Sequence, residues 1–205
     1  MTTRAAAVQG GLNLEYFTVA WNALEAMVAL ICGALAGSIA LTGFGLDSLI
    51  EMSSGGVLLW RLQSDHDEAR REVVERRALK LVGISLITLA VYVAGESILN
   101  LVRRQAPERS LPGIALAIVA LIVMPVLARA KRRVASAIAS PALQADSRQT
   151  DICAYLAAIL LLGLLLNAAL GWWWADSTAG LVMVPLIAYE GVQGLCGKTC
   201  CHDCH

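Results

Sequence analysis

Polar and apolar positions alternate along this chain in long blocks, not at single-residue or single-turn spacing. Apolar segments recur at about residues 17–34, 38–59, 79–101, 111–128, 152–170 and 173–192, separated by short connectors that hold most of the charge. Each block approaches the ~20 residues that a helix needs to cross the hydrocarbon of a bilayer. The pattern therefore predicts an all-α integral membrane protein, a bundle of six transmembrane helices over residues 1–194, with a short tail at 195–205. Leu35-Ala36-Gly37 is the only separator between the first two blocks. Met1 to Gly11 carries one Arg and no strong apolar core, so it does not read as a cleaved signal peptide.

Composition agrees with the blocks. Hydrophobic residues make up 58% of the 205 and charged ones 16%, with a mean hydropathy of +0.66, whereas soluble domains lie nearer 45–50% and ~25%. Sixteen basic residues balance sixteen acidic ones, which argues against a nucleic-acid partner. Arg61, Arg70, Arg71, Arg76, Arg77 and Lys80 crowd the second connector, and Arg129, Lys131, Arg132 and Arg133 the fourth. The positive-inside rule places those connectors, and with them both termini, in the cytoplasm of a bacterial-type inner or plasma membrane. Arg103, Arg104 and Arg109 dissent mildly, and the fifth connector offers only Asp176. Trp172, Trp173 and Trp174 then fall at the outer interface as an aromatic belt. The segment 63–77, with His66 between Asp65 and Asp67, reads as a charged extension of the neighbouring helices.

Ionisable residues inside an apolar span are costly, so the few present point to function. Asp47 and Glu51 stand four apart in the second block, on one helix face. Two neighbouring carboxylates attract a cation or a proton; a carboxylate pair locked to Arg or polar side chains is the structural alternative. Ser38-Ile-Ala-Leu41 and Ser140-Pro-Ala-Leu143 open two matching windows. Nine residues after each Ser come Asp47 and Gln149, followed by Ser48 and Thr150, and four residues after Asp47 and Gln149 come Glu51 and Cys153. Corresponding segments in two parts of a transporter point to a site at their interface. Asp47, Glu51, Gln149 and Cys153 together offer carboxylate, amide and thiol ligands to one ion, zinc or a softer heavy metal. A buried inert thiol is the plain alternative for Cys153.

Asp146 lies seven residues before Cys153, on nearly the same face, and lines an approach to it; Asp151 points elsewhere and is placed to pair with Arg148. Glu25 and Glu96, with Asn22 and Asn100 close by in sequence, are further intramembrane acids, suited to a proton path or to contacts between helices. Cys196, Cys200, Cys201, His202, Cys204 and His205 crowd the tail as a chelating or sensing segment. No Ser/His/Asp arrangement suggests an enzyme, and no prosthetic group is implied.

The two windows resemble the second and fifth membrane helices of the cation diffusion facilitator family. That family comprises divalent-metal exporters with six spans, cytoplasmic termini and proton exchange. The resemblance implies that Asp47 and Glu51 fall on the first metal-binding pair and Gln149 and Cys153 on the second, in place of that pair's usual His and Asp. Gly43-Phe44 stands where Ala-Asp commonly precedes the first pair, and Ala145-Asp146 keeps it before the second. The remainder after Glu190 is too short for the family's cytoplasmic domain, so the expectation is a compact, divergent member. A homodimer would have to form through membrane faces. The sequence thus leads to a secondary transporter exporting a divalent or soft metal cation, with a membrane-embedded metal binder or sensor as the alternative.

Overall fold

The computed structural model describes residues 2–63, 68–138 and 141–196. They form six helices: α1 (Thr2–Ala36), α2 (Ile39–Gln63), α3 (Glu68–Arg103), α4 (Leu111–Ile138), α5 (Pro141–Leu170) and α6 (Ala175–Leu195). Five are long and apolar enough to cross a membrane; α2, although 25 residues long, is not. Its shortfall has a physical cause: α2 carries Asp47, Glu51 and several Gly and Ser residues. Neighbour contacts run α1, α2, α3, α6, α5, α4 and back to α1, closing a ring, and α2 also touches α5 and α6 across the middle. A helix packed against four others has little need of lipid-facing apolarity.

The helices outrun the apolar blocks because helix geometry ignores the polarity of the last turns. Thus α4 continues to Ile138 and α5 begins at Pro141, so Lys131, Asp146 and Gln149 all belong to helices. Segment 63–77 is largely helical, as expected, with α2 ending at Gln63 and α3 starting at Glu68; His66 and its flanking aspartates lie outside the described residues.

Large apolar side chains point outward: Met27 and Ile31 on α1, Leu81 and Val91 on α3, Ile122 and Val126 on α4, Leu162 on α5 and Val182 on α6. The interior combines large apolar side chains such as Phe44, Leu86, Met124 and Leu156 with alanines such as Ala29, Ala40, Ala117 and Ala157 and with the buried acids. An apolar exterior around an interior that also holds ionisable groups suits a lipid surround. Small residues set the closest contacts. A Cβ on Gly83 of α3 would lie 2.6 Å from the Leu195 backbone nitrogen and 2.7 Å from the Gly191 carbonyl oxygen of α6.

Three connections meet at one end of the bundle. Gly37 and Gly171, both at φ +64°, terminate α1 and α5 in the left-handed conformation that glycine adopts without strain. The Glu108 N–H donates to the Ala36 carbonyl at 2.8 Å, and Asn167 Nδ2 to the Pro107 carbonyl at 3.1 Å. Asp176, in the first turn of α6, caps α2: it accepts the Ser38 hydroxyl and the Ile39 N–H, the latter at 2.8 Å. A carboxylate at a helix N-terminus satisfies otherwise unpaired N–H groups and meets the positive end of the dipole. Because Asp176 is buried, Asp176→Ala should cost about 1–3 kcal/mol by orphaning those donors. Thermal unfolding in detergent reads this directly, and an unchanged midpoint would refute the capping role. Trp172 and Trp174 stack beside this tie at 4.9 Å, both partly exposed as an interfacial belt requires.

Candidate functional site: a buried acidic seam

The polar residues of α1 fall on one face. Glu15, Thr18, Asn22 and Glu25 follow each other at intervals of three and four, and all are buried. That spacing keeps side chains on one stripe of a helix. The stripe faces α2, where Asp47, Ser48, Glu51 and Gly55 share a similar spacing and are likewise buried. Opposite them, α5 turns inward Asp146, Ser147, Thr150 and Cys153. Three polar stripes therefore meet inside a bundle whose outside is apolar.

Particular contacts join them. Ser48 of α2 donates to Glu25 Oε2 of α1 at 3.2 Å and also lies 3.0 Å from the Phe44 carbonyl. Thr150 Oγ1 of α5 stands 3.4 Å from Glu51 Oε1 of α2. Cys153 is within electrostatic range of Glu51, Glu25, Asp47 and Glu190. Asp47 and Glu51 of α2, Cys153 of α5, Glu25 of α1 and Glu190 of α6 are thus all buried along one polar seam. Gln149 is half-buried on α5 beside Thr150. Glu96 is half-buried on α3 and forms no hydrogen bond or ion pair with the acids of α2.

Several oxygens in this region lack a hydrogen-bond partner: Glu25 Oε1, Asp47 Oδ1, Glu51 Oε2, Glu190 Oε1 and both polar atoms of the Asn22 side chain. Buried polar groups are almost always satisfied, and orphans mark places where an ion, a proton or water belongs. Among the described residues, no three His, Cys, Asp or Glu groups stand close enough together to hold a metal ion. The acids line a corridor and do not close a cage.

Sequence reasoning overlooked four members of the seam. Lys131, read as part of a charged connector, is fully buried on α4, where Leu127, Ala128, Lys131 and Ala135 form one inward stripe. It is hydrogen-bonded to Asp146 and lies 3.3 Å from Glu15 Oε1. Glu15 itself precedes the first apolar block, and in the sequence Thr150 stands out only as a match to Ser48. Glu190 is the one acid in the last apolar block, and the cost of an intramembrane acid marks it as plainly as it marks Asp47. Asp151 pairs with Arg132 of α4 and not with Arg148, because the next helix brings a guanidinium closer than the adjacent turn does. Cys196 is exposed at the end of α6; Cys200, Cys201, His202, Cys204 and His205 lie outside the described residues.

Residues 16–195 match the family described as the cation efflux transmembrane domain. Over 105 residues, 51% of this chain, the sequence is 32% identical to the cation-efflux pump FieF of Shewanella oneidensis. The matched segment spans 33% of that relative's own length.

Proposed function

Since the chain belongs to the cation efflux family through its transmembrane domain, we propose that it is a membrane transporter for a divalent or soft heavy-metal cation, moving it outward. The observation that carries this reading is the set of unpartnered carboxylate oxygens on Glu25, Asp47, Glu51 and Glu190 inside an otherwise apolar bundle. Such groups are expensive in a membrane and persist where an ion passes or a proton is relayed.

In this reading the arginine-rich end, where α2 meets α3 and α4 meets α5, faces the cytoplasm. The cation leaves water there, moves along the seam and draws Asp47, Glu51 and Cys153 together around it, with Gln149 beside them. A hard oxygen pair next to a thiol favours zinc or a softer ion over magnesium or calcium. Helix rearrangement then opens the site to the other face, where protonation of the carboxylates weakens their hold and supports exchange of metal for protons. Glu25 and Glu190 border the site and are positioned to take up such protons. The similarity to a protein named a cation-efflux pump supports the outward direction, and the exposed Cys196 leads into a tail suited to collecting ions on the cytoplasmic side.

The decisive assay is zinc or cadmium accumulation in sealed everted vesicles containing the protein. Saturable, protein-dependent uptake is expected. Tight binding with no accumulation would instead select a membrane-embedded metal sensor.

A further inference from the structure

Lys131 is the only fully buried basic side chain among the described residues. Its three N–H donors have three neighbours: Asp146 of α5, to which it is hydrogen-bonded, Glu15 of α1 at 3.3 Å and Thr150 of α5 at 3.5 Å. Thr150 leads on to Glu51, 3.4 Å away. The ammonium therefore ties α1, α4 and α5 together and stands one hydroxyl away from the proposed metal site.

The position along the seam is informative. Glu15 lies toward the start of α1, Lys131 toward the end of α4 and Asp146 toward the start of α5, so all three occupy the arginine-rich end. Glu51, Cys153 and Asp47 lie progressively deeper. A Cβ on Gly55, one turn from Glu51 toward that same end, would be 3.7 Å from Glu15 Oε2, which places Glu15 beside α2 as well. An ion moving inward from this end meets Glu15 and Asp146 before it meets Glu51.

A purely structural role explains this arrangement poorly. Burying an ion pair is costly, and apolar residues of similar volume usually pack as well or better. Here one ammonium is shared by two acids: it meets Glu15 Oε1 as an ion pair at 3.3 Å, while Glu15 Oε2, fully buried, still lacks a hydrogen-bond partner. An ammonium held between two carboxylates is the arrangement expected of a cation site filled by a tethered substitute.

Resting on the transport reading above, we propose that Glu15 and Asp146 form a first cation stop ahead of Asp47 and Glu51, held shut by the Lys131 ammonium until an incoming cation displaces it. The class of ligand is a small inorganic cation, and Lys131 is a positioning residue that closes the path without binding cargo itself. Displacement frees the ammonium, and the Thr150 hydroxyl beside it couples this change to Glu51.

The test reads accessibility and needs no metal flux, so it can fail while transport survives, and the reverse. Cys32, Cys196, Cys200, Cys201 and Cys204 are replaced by Ser, leaving Cys153, buried at 2% exposure, as the sole thiol. Its reaction with a cationic and an anionic methanethiosulfonate of similar size is followed in nanodiscs. Lys131→Gln is expected to speed the cationic reagent about tenfold or more, with little change for the anionic one, because the freed acids concentrate positive charge. In a parallel chain whose sole thiol comes from Ala117→Cys, 14 residues from Lys131 on α4, the rate should not change. Should Lys131→Gln fail to fold, Lys131→Met, which removes the ammonium and keeps both acids, provides the open state, and Glu15→Lys with Lys131→Glu, which keeps the ionic link, should leave Cys153 protected. Equal acceleration of both reagents, acceleration at position 117, or no acceleration in a folded variant would each overturn the proposal.

Discussion

Asp47→Asn is expected to reduce saturable metal flux at least about tenfold while leaving the protein as stable as the wild type or more so. The two halves of this result have separate causes. Asp47 is buried, and its Oδ1 has no hydrogen-bond partner; a carboxylate in that position strains the folded state through lost solvation and repulsion from Glu51 nearby. An amide of the same shape relieves both. The metal loses a charged ligand at the same time, and even groups that only support a ligand typically contribute about 10–100-fold to metal affinity. Flux in sealed vesicles and thermal unfolding of the same preparation distinguish the effects. Unchanged flux would remove Asp47 from the site, whereas lost flux with a large fall in stability would make it a structural residue. Higher stability with lower activity is the pattern expected where a site holds groups that folding alone would not select.

The second large effect lies far from the acids. Gly83→Ala is expected to separate α3 from α6, because its Cβ would meet backbone atoms of α6 at 2.6–2.7 Å, closer than real Cβ contacts come. Backbone cannot rotate away as a side chain can, so the cost should reach at least the roughly 1–3 kcal/mol typical of overpacking. Gly191 adds to the same contact, since a Cβ there would lie 2.9 Å from Ile87. Gly95 on the same helix is the internal control: a Cβ there meets nothing within 4 Å. Gly95→Ala should therefore be neutral or stabilising by up to about 1 kcal/mol through higher helix propensity. Equal unfolding midpoints for the two variants would show that the close approach of α3 and α6 is not what holds the pair together.

The sequence carried the fold well because lipid imposes a simple rule. Spans must be long, apolar and helical, and the blocks around residues 79–101 and 111–128 announce themselves on those grounds. Helix ends were less legible. A turn such as the one bearing Lys131 looks like a connector when charge is read one residue at a time, yet its partners Glu15 and Asp146 come from other helices and allow it to be buried. Asp176 shows the same limit. It reads as the lone acid of an outer connector, but it caps a helix 137 residues away in sequence, and no local pattern encodes that.

The site was legible in proportion to how unusual its residues are in a membrane. Asp47 and Glu51 stand out in α2, and the repeated window directs attention to Cys153, which is buried on the inward face of α5. Gln149 matched by position alone and sits half-buried beside the inward-facing Thr150. Glu190 followed from the same intramembrane rule but has no counterpart in the repeated windows. The seam as a whole emerges only when the stripes of α1, α2 and α5 are laid against each other, because each alone is a modest departure from an apolar helix.

The account turns on whether the cation rests inside the bundle. A structure of the metal-loaded protein, with the ion located by its anomalous scattering, tests this most directly. The expected result is an ion between α2 and α5, with Asp47, Glu51 and Cys153 drawn toward it. A loaded protein with metal bound only by the terminal Cys and His residues, and none between those helices, would contradict it.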